Sequence, residues 1–197
     1  MAHSHDQTLL ARLGFQDPDR KTPDHDLACR YLSQREQLRK IVALYSPFDV
    51  SWRDNNGKVK MTTFDRCYEG VAVLEEPLTK GIGQYKTHIG FLDISATFKF
   101  VDGIKDEQGN RKDGKDRQHV KVIIEVKIQP IDISAILRQL NLYKEHIEHS
   151  RFTHWLLVTA FPLNIEEVKS LSNVKHVYLN PVYKDYAEQP KAESQTI

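Results

Sequence analysis

Val120-Lys121-Val122-Ile123-Ile124-Glu125-Val126-Lys127-Ile128 is the stretch whose reading decides the fold. Successive side chains of an extended strand point to opposite faces. One row is then Val120, Val122, Ile124, Val126 and Ile128, all apolar. The other is Lys121, Ile123, Glu125 and Lys127. The alternation predicts a core strand over 120–128. Charge inside such a strand is costly unless it is paired or holds a metal. Glu125 and Lys127, which share a face, are therefore the first candidates for chemistry.

Downstream, Pro130 ends this strand and Asp132 is placed to cap a helix. Ile133, Ile136, Leu137, Leu140, Tyr143 and Ile147 follow at helical steps. Residues 155–161 read as a buried strand, 165–171 as a short helix and 174–179 as a last short strand. Upstream, Leu27, Ala28, Tyr31, Leu32, Leu38, Ile41, Val42 and Tyr45 predict one amphipathic helix over 25–45. Asp24 or Asp26 would cap it, and Pro47 stops it. Strands are expected at 59–64 and 69–74, and more strongly at 89–100, where Phe91, Ile94, Phe98 and Phe100 cluster. Asn55-Asn56-Gly57 is a hairpin-turn signal.

Residues 99–121 carry Lys99, Lys105, Arg111, Lys112, Lys115, Arg117 and Lys121 against Asp102, Asp106, Glu107, Asp113 and Asp116. With Gly103, Gly109 and Gly114 among them, the expectation is a long exposed hairpin tip whose basic residues could grip phosphates. Residues 1–24, broken by Pro18 and Pro23, are expected to form a loose arm, and 184–197 a polar tail. A single domain over 25–183 remains. Its element order predicts an α/β or α+β domain with a mixed central sheet.

Composition narrows the function classes. Lys plus Arg number 28 and Asp plus Glu 27, a net charge of +1, so contact with nucleic acid requires a local patch. Hydrophobic residues at 40% and charged residues at 28% argue against wholesale disorder. No apolar run approaches the roughly 18 residues of a membrane span. The first residues, Met1-Ala2-His3-Ser4-His5-Asp6, are polar and lack an apolar signal core, so a cytoplasmic location is expected. Cys29 and Cys67 show no CxxC spacing, which argues against a disulfide scaffold and a thiolate-built zinc or iron–sulfur site. Both are expected to be small buried hydrophobes, and Trp52 and Trp155 core residues. The histidines are scattered; His146 and His149 stand i,i+3 without a visible third ligand.

Two further features complete a constellation. Gly90-Phe91-Leu92-Asp93 places a carboxylate in an apolar strand. Gln139-Leu140-Asn141-Leu142-Tyr143 puts Gln139 and Tyr143 on one helix face. If strands 91–98 and 120–128 are neighbours, the Asp93 and Glu125 carboxylates meet. Two carboxylates, a main-chain carbonyl and waters make a hard-oxygen site suited to Mg2+ or Mn2+. Lys127 beside it could hold a water or offset charge on a phosphate in transfer.

Asp93 followed by Glu125-x-Lys127 resembles the PD-(D/E)xK nuclease superfamily. Gly90-x-x-Asp93 with Gln139-x-x-x-Tyr143 narrows the likeness to its RecB-type branch, over roughly residues 25–160. The resemblance implies a restriction-endonuclease-like core of helix, three-stranded meander, helix and strand. It implies a metal-dependent nuclease acting on DNA, with Asp93, Glu125 and the Val126 carbonyl as metal ligands and Lys127 as the catalytic lysine. Gln139 and Tyr143 would support the site and contact the nucleic acid. The family often adds a residue from the first helix, for which Glu36 is the acidic and His25 the histidine candidate. Such nucleases commonly pair into homodimers where both strands are cut; no interface is legible in the sequence. Two other readings stay open: an inactive module of the same fold that holds nucleic acid or a protein partner, and an accessory protein without a site.

Overall fold

The computed structural model describes residues 22–81, 87–105, 111–147, 152–179 and 181–188. The chain enters helix α1, Pro23–Leu32. Thr22 caps it, its Oγ1 accepting the His25 N–H at 3.2 Å, and Pro23 stands at the first helical position, where its missing N–H costs nothing. Asp24 and Asp26 are thus not the caps. They sit within the first turn, opposite the partial positive charge of the helix start.

The single helix expected over 25–45 is two helices. The Ser33 N–H bonds Cys29 O, its hydroxyl donates to Arg30 O at 2.8 Å, and Gln34 is extended. A hydroxyl that takes a helix carbonyl competes with the next turn of the ladder. Helix α2, Arg35–Ala43, then starts afresh. Leu38, Ile41 and Val42 reach the same core from the new helix, so the apolar steps run on across a break they do not reveal.

Six strands follow: β1 Phe48–Arg53, β2 Val59–Lys80, β3 Thr87–Lys105, β4 Arg111–Lys127, β5 Thr153–Thr159 and β6 Val174–Tyr178. They lie in the order β1-β2-β3-β4-β5-β6 in one sheet. The first four form an antiparallel meander; β4, β5 and β6 run parallel. Helix α3, Ile133–His146, and helix α4, Ile165–Ser170, make the two parallel crossovers. The domain is therefore of mixed α+β class. At the first hairpin, Gly57 adopts φ +76° and the Asp54 carboxylate accepts the N–H groups of Asn56 and Lys58.

Two expectations about the strands change. Segments 59–64 and 69–74 belong to one strand, β2, because register shifts between Phe64 and Arg66 and between Cys67 and Glu69 break the alternation without ending the pairing. Stretch 99–121 is largely ladder, with Gly103 opposite Asp113 and Lys105 opposite Arg111. A high density of charged residues does not stop the main chain from pairing. Residues 106–110 lie outside the described residues, as do 1–21 and 189–197.

Helices cover both faces of the sheet. On one, Ala28, Cys29 and Leu32 of α1 and Leu38, Ile41 and Val42 of α2 pack on the row Ile94, Ala96, Phe98, Phe100, Val120, Val122, Ile124 and Val126. On the other, Ile136, Leu140 and Tyr143 of α3 pack on Ile123, Trp155 and Leu157. Asp132 caps α3 as expected, its carboxylate accepting the Ser134 N–H at 3.0 Å. A 3-10 stretch, Pro181–Glu188, returns Tyr183 to the first core, so part of the expected tail is ordered structure. Trp155 and Cys29 are buried, whereas Cys67 is exposed and Trp52 is 43% exposed. Trp52 lies on the edge strand β1, where its indole N–H donates to Thr62 Oγ1 and Lys60 lies over the ring. Among the described residues, no helix is long and apolar enough to cross a membrane.

Candidate functional site

The β3–β4 ladder ends at Ile94 opposite Ile124. One step further, the same register would set Asp93 opposite Glu125. Instead the Asp93 side chain takes over from the main chain: its Oδ2 accepts the Val126 N–H at 2.8 Å. In an extended strand the N–H and C=O of one residue point the same way, and those of the next residue the opposite way. Lys127 O accordingly turns to β5, where it accepts the Ala160 N–H at 2.9 Å. The Val126 carbonyl is aimed with its N–H at the opening beyond Ile94. Strand β4 stays paired to β5 through Lys127 opposite Thr159, so only the β3 side opens.

Four elements bring side chains to this opening. Glu125 and Lys127 are 1% and 0% exposed and pair at 2.7 Å. From the first turn of α1, His25 Nε2 lies 3.4 Å from the same Asp93 oxygen that holds Val126. Cys29, one turn on, places Sγ 3.8 Å from His25 Nδ1. From α3, Tyr143 donates its hydroxyl to Phe91 O at 3.0 Å, and Gln139 Nε2 donates to the Tyr143 oxygen at 3.0 Å. The helix pair therefore braces the β3 segment two residues before Asp93.

The electrostatics describe one coupled cluster. Burial pulls the His25 pKa down, but the hydrogen bond and negative charge of Asp93, with a smaller push from Glu125, leave it above the ordinary imidazole value; Lys127 opposes them. Burial alone would raise the Asp93 pKa. His25, the charge of Lys127 and the Val126 N–H together hold it below the ordinary carboxylate value. Tyr143 is pushed up, chiefly by burial and then by the charge of Glu125, so its hydroxyl stays a donor. The Cys29 thiol is pushed up by burial and by Asp93 and Glu125, which keeps it a thiol.

Of the residues singled out in the sequence, Asp93, Glu125, Val126, Lys127, Gln139 and Tyr143 thus meet around one opening. Between the two first-helix candidates the geometry is decisive. His25 is in the cluster. Glu36 lies on α2 with its side chain 75% exposed, held by Lys40 at 3.0 Å, and takes no part in it. The cause is the break at Ser33–Gln34, which puts position 36 on a different helix. Two neighbours of the cluster went unseen in the sequence. Cys29 had a usable signal, its i,i+4 spacing from His25. Glu75, at φ +50° inside β2 between the pairs Leu74–Ile94 and Glu76–Leu92, had none.

No protein-family model, no curated protein and no solved structure matches this chain.

Proposed function

We propose that this chain is a metal-dependent nuclease that hydrolyses phosphodiester bonds in DNA, on a restriction-endonuclease-like core of the PD-(D/E)xK type. One observation carries the reading: Asp93 Oδ2 is tied to the Val126 N–H at 2.8 Å, and the residues on either side of Val126, Glu125 and Lys127, pair in full burial at 2.7 Å. Asp93, 33 residues before Val126 in sequence, joins the Glu125–Lys127 pair at one strand end.

The donor chemistry fits a hard cation. Asp93, Glu125 and the Val126 carbonyl would hold Mg2+ or Mn2+, with His25 beside them. Among the described residues, no group of three or more acidic, histidine or cysteine side chains is preassembled as a cage. Mg2+ needs none, since it binds through one or two carboxylates and fills its shell with water and substrate phosphate. Bound there, the cation would supply an activated water and offset charge on the phosphate.

The protein's own groups do the rest. His25 and the Val126 N–H fix the orientation of the Asp93 carboxylate. The Lys127 ammonium sits in a dry environment where its charge acts strongly on a phosphoryl oxygen or a water. Gln139 and Tyr143 hold Phe91, and through it the position of Asp93. Basic residues of the β3–β4 ladder, such as Lys99, Arg117 and Lys121, are candidates for DNA phosphate contacts. A cytoplasmic location and a second copy of the chain as partner belong to the same proposal.

The test is incubation with single- and double-stranded DNA in Mg2+ or Mn2+. Cleavage is expected, falling by about 10²-fold or more in Asp93→Ala and Lys127→Ala. Undiminished cleavage in both variants would overturn the assignment. A second reading, an inactive module of this fold that only holds nucleic acid or a protein, draws on the closure of Lys127 onto Glu125 with neither side chain more than 1% exposed. Retention of DNA without Mn2+ binding in a calorimetric titration would favour it.

A further inference from the structure

A cavity of about 470 Å³ lies between α2 and the middle of β2, and no residue of the Asp93 cluster lines it. Its floor belongs to the first core: Leu38 and Val42 of α2, Ala72 of β2 and the Phe98 ring of β3. Strand β2 shapes the opposite wall by two local departures from regular pairing. A register shift between Cys67 and Glu69 bends the strand. Gly70 follows, where a β-carbon would stand 2.8 Å from the Phe98 ring. Glycine lets that ring lie against the main chain, and because Gly70 is itself exposed and lines the cavity, the wall there is bare backbone. A glycine inside a strand costs pairing strength and marks a place of close approach.

The rim is positive. Arg35 and Arg39 both line the cavity and stand one turn apart on one face of α2. Like charges at that spacing repel each other, which opposes folding. The carboxylates that could relieve them are engaged elsewhere: Glu36 with Lys40 at 3.0 Å and Glu69 with Lys99 at 2.6 Å. Among the described residues, neither arginine has a hydrogen-bond or ion-pair partner. A guanidinium is shaped to take a carboxylate or phosphate through two parallel N–H groups. A bare inorganic anion would leave the apolar floor wet, and a neutral apolar ligand would leave both charges unanswered. The volume falls in the range of ordinary small-molecule sites.

We infer that this cavity binds a small organic anion with an apolar body, its acid group held by Arg35 and Arg39 and its body laid on Leu38, Val42, Ala72 and Phe98. The site stands apart from the nuclease reading, with which it shares no residue.

The experiment is a fluorescence titration of the full chain with an anilinonaphthalene sulfonate, an aromatic body carrying one fixed negative charge. Saturable binding to the folded chain is expected. Arg35→Gln and Arg39→Gln should each weaken it about tenfold, as loss of a charge-assisted hydrogen bond does. Both variants should melt within about 2 °C of the parent, as exposed substitutions do in a chain of this size. The neutral phenylnaphthylamine should bind the parent more weakly than the sulfonate, and the two variants no differently from the parent. Cys67 lines the cavity and is exposed, whereas Cys29 is buried. Bound sulfonate should therefore slow alkylation of Cys67 by iodoacetamide in proportion to its occupancy. Absence of saturable binding, binding that both substitutions leave unchanged, or binding that leaves Cys67 alkylation as fast as before would each overturn the site. None of these outcomes bears on DNA cleavage, so the nuclease reading stands or falls separately.

Discussion

Two lysine–glutamate pairs on this sheet have almost the same length and opposite meanings. Lys99 and Glu69 join β3 to β2 at 2.6 Å, with side chains 36% and 43% exposed. Lys127 and Glu125 lie two residues apart on β4 at 2.7 Å, with side chains 0% and 1% exposed. Distance does not separate them; water does. An exposed pair is screened and contributes about 0.2–1 kcal/mol. A buried pair must first be stripped of solvent, and that cost can exceed the attraction gained. Stability explains the first pair. It does not explain why the second occupies positions where two apolar side chains would pack at no such cost.

The largest expected effect comes from breaking the buried pair on one side. Glu125→Ala leaves the Lys127 ammonium without its main counter-charge and should cost about 3–5 kcal/mol. At roughly 2–4 °C per kcal/mol for a chain of this size, differential scanning calorimetry should register a drop of about 10 °C. The double substitution Glu125→Leu with Lys127→Met should recover most of that loss while abolishing DNA cleavage. If the double variant is as unstable as the single one, the pair is structural and the contrast with Lys99–Glu69 dissolves.

Next is Tyr143→Phe, which removes the hydroxyl from Phe91 O and should cost about 1 kcal/mol in urea unfolding, with a further loss in cleavage if β3 is braced as described. The His25–Asp93 contact predicts a pH effect of known sign. The His25 pKa is raised on folding, so its contribution is complete below about pH 6.5 and is lost as pH climbs through the raised value. The Asp93 pKa is lowered, so its contribution is present above about pH 4 and lost as pH falls through the lowered value. In metal-free buffer the stabilisation should be fullest between those limits, and a His25→Gln chain should lose the decline on the alkaline side. A parent whose urea midpoint is flat from pH 6 to 8.5 would contradict this. The smallest effect is Glu69→Ala, expected within about 0.5 kcal/mol of the parent.

Much of this was legible in the sequence where a local rule had no competitor. The alternation over 120–128 fixed the strand and the shared face of Glu125 and Lys127. Asp132 was readable as a cap because it directly precedes the apolar helical steps of α3, and the i,i+4 step set Gln139 on Tyr143. Other features depend on contacts that local periodicity does not encode. The turn at Ser33–Gln34 hid inside an apolar pattern that continues across it, so Glu36 and His25 read as residents of one helix. The register shifts in β2 disguised one strand as two. That the β3–β4 ladder stops at Ile94, and that a carboxylate then takes the next amide, follows from tertiary pairing alone.

The substitution of a carboxylate for a main-chain carbonyl at Val126 has a practical consequence. Amides in a ladder exchange their protons with solvent only when the segment opens. Val126 sits among such amides, yet its partner is ionisable, so its deuterium uptake should respond to anything that draws Asp93 away. That one N–H is an isotopic gauge of the centre, readable in the intact protein before any reaction has been assayed.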